Sequence, residues 1–596
     1  MFRLTVIPAQ AGNDGKEEFM TTAPDSRLNQ FLDEAFLAEL ALSPETATML
    51  GRPEGKDRWA DQSDAGREAE FRLAERLLAQ LEADFPLEPL SPVGRLSHRL
   101  FAERCRIRLA LEPHRWLIYP VTHMQGAHSL LPTVLLTAHQ IATPADADAY
   151  VARLSGLGPA IDQLLDAVEA RRQRGIAAPS LTYPKMIAAA RTLTGGAPFD
   201  QNGTSPLLAD LTAKLDALAL PDGQRTACIA AATAALIEQV GPAYRRFIAV
   251  MEALAATPSE HGLSAFDGGR TAYAALIRRE TTLELSAAEV SAYGERELAR
   301  IHDEMRQIMA RLDFQGDLQD FFAWMRAAPA LHLRNDAAGR QDYLARAQAV
   351  VDAMQARLPE IVGRLPRAAL EVKPMAGFNE GSATAAFYNP PGDGGSRPGY
   401  LEVNLLDVSQ NPIYQIDALM HHEGVPGHHL QIAVAMELDG LPLFRRFDIC
   451  NAHAEGWALY AEKFPKELGF YQDPYADFGR LSMEAWRASR LVVDPGIHHD
   501  GWSRAQAIQF MTENTAESPL NIAIEVDRYF VFPGQATSYA IGLIEILRLR
   551  SEAETALGDR FDLREYHDLL LGSGSVPLPI LRELVEDWVD LSSSRT

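Results

Sequence analysis

Residues 421–429 read His-His-Glu-Gly-Val-Pro-Gly-His-His, placing four of the chain's 16 histidines around one glutamate. Imidazoles and a carboxylate packed this closely point to metal chemistry. Zinc takes three protein ligands and keeps a fourth position for water. In a His-Glu-x-x-His helix the two histidines lie four apart on one face, and the glutamate takes a proton from the activated water. Here His422-Glu423 is followed by Gly-Val-Pro-Gly before His428. An ideal helix turns about 100° per residue, so positions 422 and 428 diverge by roughly 120°. Positions 422 and 429 share a face but lie about 10 Å apart along the axis. An unbroken helix therefore holds no single ion with either pair.

Pro426 changes that. It has no N–H to give the carbonyl of His422, and its ring clashes there. Gly424 and Gly427 tolerate unusual dihedrals. A bulge that absorbs two residues brings His428 to the place the fourth residue normally takes. His429 would need three residues absorbed and is the alternative metal ligand. His421 points away from His422 in any helical geometry and is expected behind the ligands or at the substrate. Ile413 to Met420 and Leu430 to Met436 are apolar, helix-like flanks. They make the cluster a polar knot in a core helix, where buried polar groups need partners.

Three segments carry a resemblance: HHEGVPGHHLQ, EGWALYAE from Glu455 and PGQATSYAIG from Pro533. Together they resemble the bacterial domain-of-unknown-function family 885, whose layout covers nearly the whole chain. That family is similar to the helical zinc peptidases of the angiotensin-converting-enzyme, thimet oligopeptidase and carboxypeptidase Taq types. In those a glutamate on a following helix is the third ligand. The resemblance implies Zn2+ on His422, His428 and Glu455, with Glu423 as general base. It implies a mainly α, two-lobed fold with a deep cleft and a small antiparallel β-sheet beside the site. Asp494-Pro-Gly-Ile-His498-His499 matches a further family motif and puts His498 near the cleft. Arg528-Tyr529-Phe530 resembles the converting-enzyme segment that supplies an oxyanion-stabilising tyrosine, whereas Tyr539 lies in this family's own motif. A phenol aimed at developing negative charge lowers a barrier by a few kcal/mol. In the related peptidases an edge strand holds the substrate backbone. Ser382 to Tyr388, or Gly399 to Asn404, could serve here, with Arg528 as a further substrate-binding group.

The elements that must position these groups are mostly helical. Helical spacing of apolar residues recurs over Glu68 to Phe85, Ala145 to Arg174, Gly223 to Ala256, Ala287 to Leu312 and Asp336 to Leu358. The helix from Asn451 to Phe464 carries Glu455, and Gly456 leaves room for another helix to approach closely. After Leu365 the texture changes. Ala369 to Val372, Ser382 to Tyr388 and Gly399 to Leu405 read as strands, and the turn-rich link Asn389 to Pro398 predicts a hairpin or small antiparallel sheet. The expected organisation is a leader over residues 1–20, then one peptidase-like domain. Its helical lobe runs to residue 365 and its zinc-site lobe from 366.

Composition bounds the rest. The chain has 596 residues, 47% of them apolar and 23% charged, as in ordinary globular proteins. A net charge of −24 argues against a nucleic-acid partner. The three cysteines are far apart in sequence and suggest neither disulfides nor a cysteine metal site. No run of 18 apolar residues occurs, so no membrane span is expected. MFRLTVIPAQAG has too short an apolar stretch for a secretory signal. A cytoplasmic protein is expected, with the periplasm as the alternative. Nothing in the sequence sets an oligomeric state. The expected function is zinc-dependent hydrolysis of peptide bonds in short peptides. The alternatives are a zinc amidase or esterase acting on a small metabolite, and a catalytically inactive metal-binding protein.

Overall fold

The structure is a computed structural model that describes residues 22–218, 220–375, 385–392 and 397–594. The expected leader, 1–20, and the first part of the expected strand at 382–388 lie outside the described residues. Among the described residues the chain is mainly α-helical with one three-stranded sheet. Contacts divide it into two compact units.

One unit comprises Asp33–Asp84 and Cys105–Ala272. Its helix Pro144–Arg172 begins at a capping box in which Thr143 and Asp146 satisfy each other's backbone N–H. The stretch Asp222–Ala255 is long and apolar enough to cross a membrane by length and composition, because alanines raise its mean hydropathy. Its large apolar residues are packed instead into this unit's core. Leu236, Val240, Tyr244, Phe247 and Met251 lie there with Tyr150, Leu154 and Leu157.

The other unit comprises the described parts of Met1–Leu32, Phe85–Arg104 and Tyr273–Thr596. The expected boundary at 365/366 falls inside it. N-terminal pieces join the C-terminal helices: Phe101 meets Phe444 edge to face at 5.3 Å, and Asn29 donates to the Gly440 carbonyl. Seven helices of this unit carry the argument: α1 (Ala287–Arg311), α2 (Ile416–Glu423), α3 (His428–Met436), α4 (Asn451–Lys463), α5 (Pro474–His498), α6 (Pro519–Val531) and α7 (Ser538–Leu557). Helix α1 starts at the capping box Ser286/Glu289. It buries Leu298, Ile301, Met305 and Ile308 against Phe478, Leu481, Ala485 and Ala488 of α5. Gly294 sits where this packing is tightest, since a Cβ there would lie 2.8 Å from the side chain of Leu491. Gly456 of α4, as expected, permits a close approach. A Cβ on it would lie 2.5 Å from the backbone of Gly542 in α7.

The sheet holds β1 (Leu370–Pro374), β2 (Ala386–Asn389) and β3 (Gly399–Val403) in the order β1-β3-β2. Strands β2 and β3 pair antiparallel, as the turn between them predicts, but β1 pairs parallel to β3. The sheet is therefore mixed, not wholly antiparallel. The sequence between β1 and β3 is long enough for the crossover that a parallel pair needs. At the far edge of β2 the Tyr388 N–H is bonded to the Glu423 carboxylate, 3.0 Å away. Strand β3 is thus central, with both edges paired, and the candidate edge Gly399 to Asn404 has no free side for a substrate.

Candidate metal centre

Helix α2 ends at Glu423 and α3 begins at His428, joined by Gly-Val-Pro-Gly. The two histidines are therefore not brought together by a bulge in one continuous helix, as expected, but by a break between two. Pro426 cannot continue α2, and its carbonyl accepts from Trp457 Nε1 at 2.9 Å. The His429 N–H returns to the Gly424 carbonyl at 3.0 Å, which starts α3. Gly427 makes the reversal possible: a Cβ there would lie 2.0 Å from the His422 carbonyl oxygen. The rings of His422 and His428 come to 4.8 Å, nearly perpendicular.

Glu455 enters from α4. Its Oε2 lies 3.5 Å from His422 Nε2 and 3.4 Å from His428 Nε2. One donor atom from each of the three residues falls within 4.8 Å of the other two. Burial alone would raise the Glu455 carboxyl, but the two histidines beside it hold it well below the usual carboxylate range. Glu455 Oε2 is buried and has no hydrogen-bond partner among the described residues. His422 Nδ1 is bonded at 2.7 Å to Oε1 of Glu462, which lies about two helical turns beyond Glu455 on α4. That bond orients the ring and turns Nε2 toward Glu455 and His428, the arrangement seen in histidine metal ligands. Burial opposes a charge on His422, yet the carboxylates of Glu455 and Glu462 beside it outweigh that and push the imidazole up to about 9. Two imidazole nitrogens and a carboxylate oxygen, converging with an orphaned buried acceptor among them, fit a zinc ion.

Glu423 sits at the end of α2 beside this set. One oxygen accepts the Tyr388 N–H from the edge of β2. Burial raises its carboxyl, partly offset by His422 and His428. Tyr539, on α7, lies parallel to the His422 ring at 6.5 Å. Burial also raises the Tyr539 phenol, so it remains a hydrogen-bond donor at neutral pH.

The other sequence candidates are placed elsewhere. His429 faces away from the donor set: its Nδ1 pairs with the Tyr388 hydroxyl at 3.0 Å, and it is also bonded to the Ala368 backbone. His421 is fully buried, with Nδ1 2.8 Å from the Tyr471 hydroxyl. It braces the back of α2 and has no solvent-facing surface to offer a substrate. His498 is fully buried and its Nε2 takes up the Tyr529 carbonyl at 2.8 Å. It holds the backbone of α6 and does not face the three donors. Tyr529 is fully buried too, its hydroxyl accepting from Arg490 Nε at 3.0 Å. Arg528 is spent on Glu525 and Gln535. Asn404 caps the loop after β3, its Oδ1 accepting from the Leu406 N–H.

The sequence profile of the family described as "Bacterial protein of unknown function (DUF885)" matches residues 44–585. The chain belongs to this family. The DUF885 chain is similar over most of its length to solved structures that include two lipoproteins. The putative lipoprotein from Colwellia psychrerythraea is 27% identical, with a TM-score of 0.89 over 95% of this chain and 99% of that one. A putative lipoprotein of unknown function from Shewanella oneidensis is 17% identical, with a TM-score of 0.72 over 94% and 99%. The second likeness is one of fold alone. No curated relative matches the chain.

The DUF885 site also uses residues that sequence reasoning did not select. Tyr388 and the strand edge beside Glu423 depend on the order of the sheet, which no local pattern reveals. Helix α5 carries Arg480, Glu484, Arg487 and Arg490, all buried, at successive steps of three or four. That periodicity is visible in the sequence, but charges at helical spacing ordinarily mark a solvated face. The neighbouring Leu481, Ala485 and Ala488 make it a second buried face instead.

Proposed function

We propose that this protein is a zinc-dependent hydrolase of peptide bonds. The observation that carries the reading is the convergence of His422, His428 and Glu455 beside Glu423, with Glu462 orienting His422. The residues that would hold the metal are those three. When bound there, zinc supplies a Lewis acid that polarises a carbonyl and acidifies a water. Glu423, raised by its burial, accepts the proton of the attacking water on one oxygen while the Tyr388 N–H fixes the other. The same carboxyl then passes that proton to the departing amine. Tyr539 donates its hydroxyl proton as a hydrogen bond to the oxygen on which charge develops. Strand β2, whose far edge meets Glu423, supports a peptide in extended form over a compact metabolite, because an extended backbone pairs with a strand edge.

The likeness to the Colwellia lipoprotein supports a lipid-anchored or periplasmic setting over the cytoplasmic one expected from the sequence. Fractionation of the native host, with the chain located by antibody, decides between them. The function is tested by metal analysis of the purified chain and a mass-spectrometric digest of an unstructured peptide library. Stoichiometric zinc with chelator-sensitive cleavage is the expected result. Cleavage that survives chelation, or a metal-loaded chain that cleaves only non-peptide amides or esters, would sink the reading.

A further inference from the structure

Helix α4 reaches the metal centre twice. Glu455 brings a donor atom, and two residues further on Trp457 gives its indole N–H to the Pro426 carbonyl at 2.9 Å. Pro426 stands two residues before His428, within the four-residue break between α2 and α3. Other bonds at the break tie it to those two helices. The Gly424 N–H returns to the Met420 carbonyl at 2.9 Å, and the Gly424 and Gly427 carbonyls accept from the N–H groups of His429 and Gln431 at 3.0 and 3.1 Å. Those bonds close the ends of α2 and α3 on themselves. The bond from Trp457 instead crosses to the helix that carries the third donor.

The indole is held so that it cannot turn away. Trp457 is fully buried, with the His567 ring edge-on at 5.4 Å and the Tyr460 ring at 5.6 Å. His567 is itself pinned at both nitrogens. Nδ1 faces the Ile361 carbonyl at 2.9 Å and so carries the proton, which leaves Nε2 to accept from the Tyr460 hydroxyl at 2.9 Å. Burial pushes this imidazole down to about 3, so it stays neutral in that tautomer. Pro426 is buried, and a buried carbonyl stripped of its donor is costly. The backbone relieves that cost by shifting, and a shift at Pro426 moves His428 while Glu455 stays on α4. We propose that Trp457 is a positioning residue of the metal centre: by holding the Pro426 carbonyl it sets His428 against His422 and Glu455. The proposal rests on the metal-centre part of the proposed function and is independent of which bond the protein hydrolyses.

Metal binding tests this without turnover. The full-length chain is compared with Trp457→Phe, with Trp457→benzothienylalanine introduced by nonsense suppression, and with Tyr460→Phe. Benzothienylalanine puts sulfur in place of the indole N–H in a ring system of the same size, so the packing on His567 is kept where phenylalanine leaves a gap. Tyr460→Phe loosens the same aromatic cluster without removing the bond to Pro426. Zinc affinity is read by competition with a chromophoric chelator, and ligand geometry by the visible absorption of the cobalt-loaded chain. Both Trp457 variants are expected to bind zinc roughly tenfold more weakly and to change the cobalt spectrum. Tyr460→Phe is expected to lower the urea midpoint and to leave both metal readouts at their parental values. A folded benzothienylalanine chain with parental zinc affinity and a parental cobalt spectrum overturns the proposal and leaves the zinc hydrolase standing. Equal loss of zinc affinity in Tyr460→Phe assigns the effect to general packing and overturns it as well. A parental chain that takes up neither ion removes the metal centre, and this proposal with it.

Discussion

Glu423 is the residue on which the chemistry turns, and its environment separates it from Glu455. Both are carboxylates beside the same two imidazoles, yet burial raises one while the histidines hold the other down. The first suits a group that must take a proton, the second a group that must stay charged. Glu423→Gln preserves the shape and the bond from Tyr388 but removes the proton acceptor. It should retain zinc by elemental analysis and lose peptide turnover by about 10²–10⁴-fold. Near-normal turnover would take Glu423 out of the mechanism. His428→Ala should strip the metal, whereas His429→Ala should keep it. Its loss should appear in urea unfolding, at about 1 kcal/mol for the bond to Tyr388. Stoichiometric zinc in the first variant would reverse the assignment of the two neighbours. Residue type and spacing made the cluster legible in the sequence. They could not separate Tyr529 from Tyr539, because local resemblance favoured one and the fold sets the other beside His422.

At the level of elements, the interruption between α2 and α3 does what an unbroken helix could not. Two short helices joined by a four-residue break bring the rings of positions six apart to 4.8 Å. Pro426 marks the interruption in the sequence, but a bulge and a break leave the same signature of proline flanked by glycines, so the sequence does not show which forms. Gly427 is the tightest point. Gly427→Ala forces a methyl group to within 2.0 Å of the His422 carbonyl unless the backbone moves. The variant should lose about 1–3 kcal/mol of stability by denaturant titration, and hold metal more weakly. Parental zinc affinity would show that the link adapts. The helices themselves were legible from their apolar periodicity, and α1 and α4 fall close to their expected bounds. The parallel pairing of β1 was not, since a connection of that length fits either strand direction.

Across the whole molecule, buried charge gives a pH dependence of its own. Asp494 is fully enclosed, accepting from the Tyr273 hydroxyl at 2.6 Å and the Gly534 N–H at 2.9 Å, and burial raises its carboxyl to about 7. An unfolded aspartate titrates near about 3.9. The folded chain therefore keeps a proton that the unfolded chain has lost. Its contribution to stability is complete below the unfolded value and disappears as pH rises through about 7. Asp494→Asn keeps the two acceptor contacts without the titration. Its melting temperature relative to the parent should climb between those two pH values and level off above. A constant offset across that range would mean the carboxyl ionises normally in the fold.

The contact of Gly456 with Gly542 bears on how the molecule can move. Backbone against backbone leaves no side chain to slide or repack, so α4 and α7 behave as a single stiff beam. Glu455 stands on one flange of that beam and Tyr539 on the other, and their separation is set by main-chain geometry. Any breathing that admits a substrate must flex away from this pair. In hydrogen exchange the amides around Gly456 and Gly542 should then open only with global unfolding. Rapid exchange on the beam itself would mean that ligand and phenol are free to part.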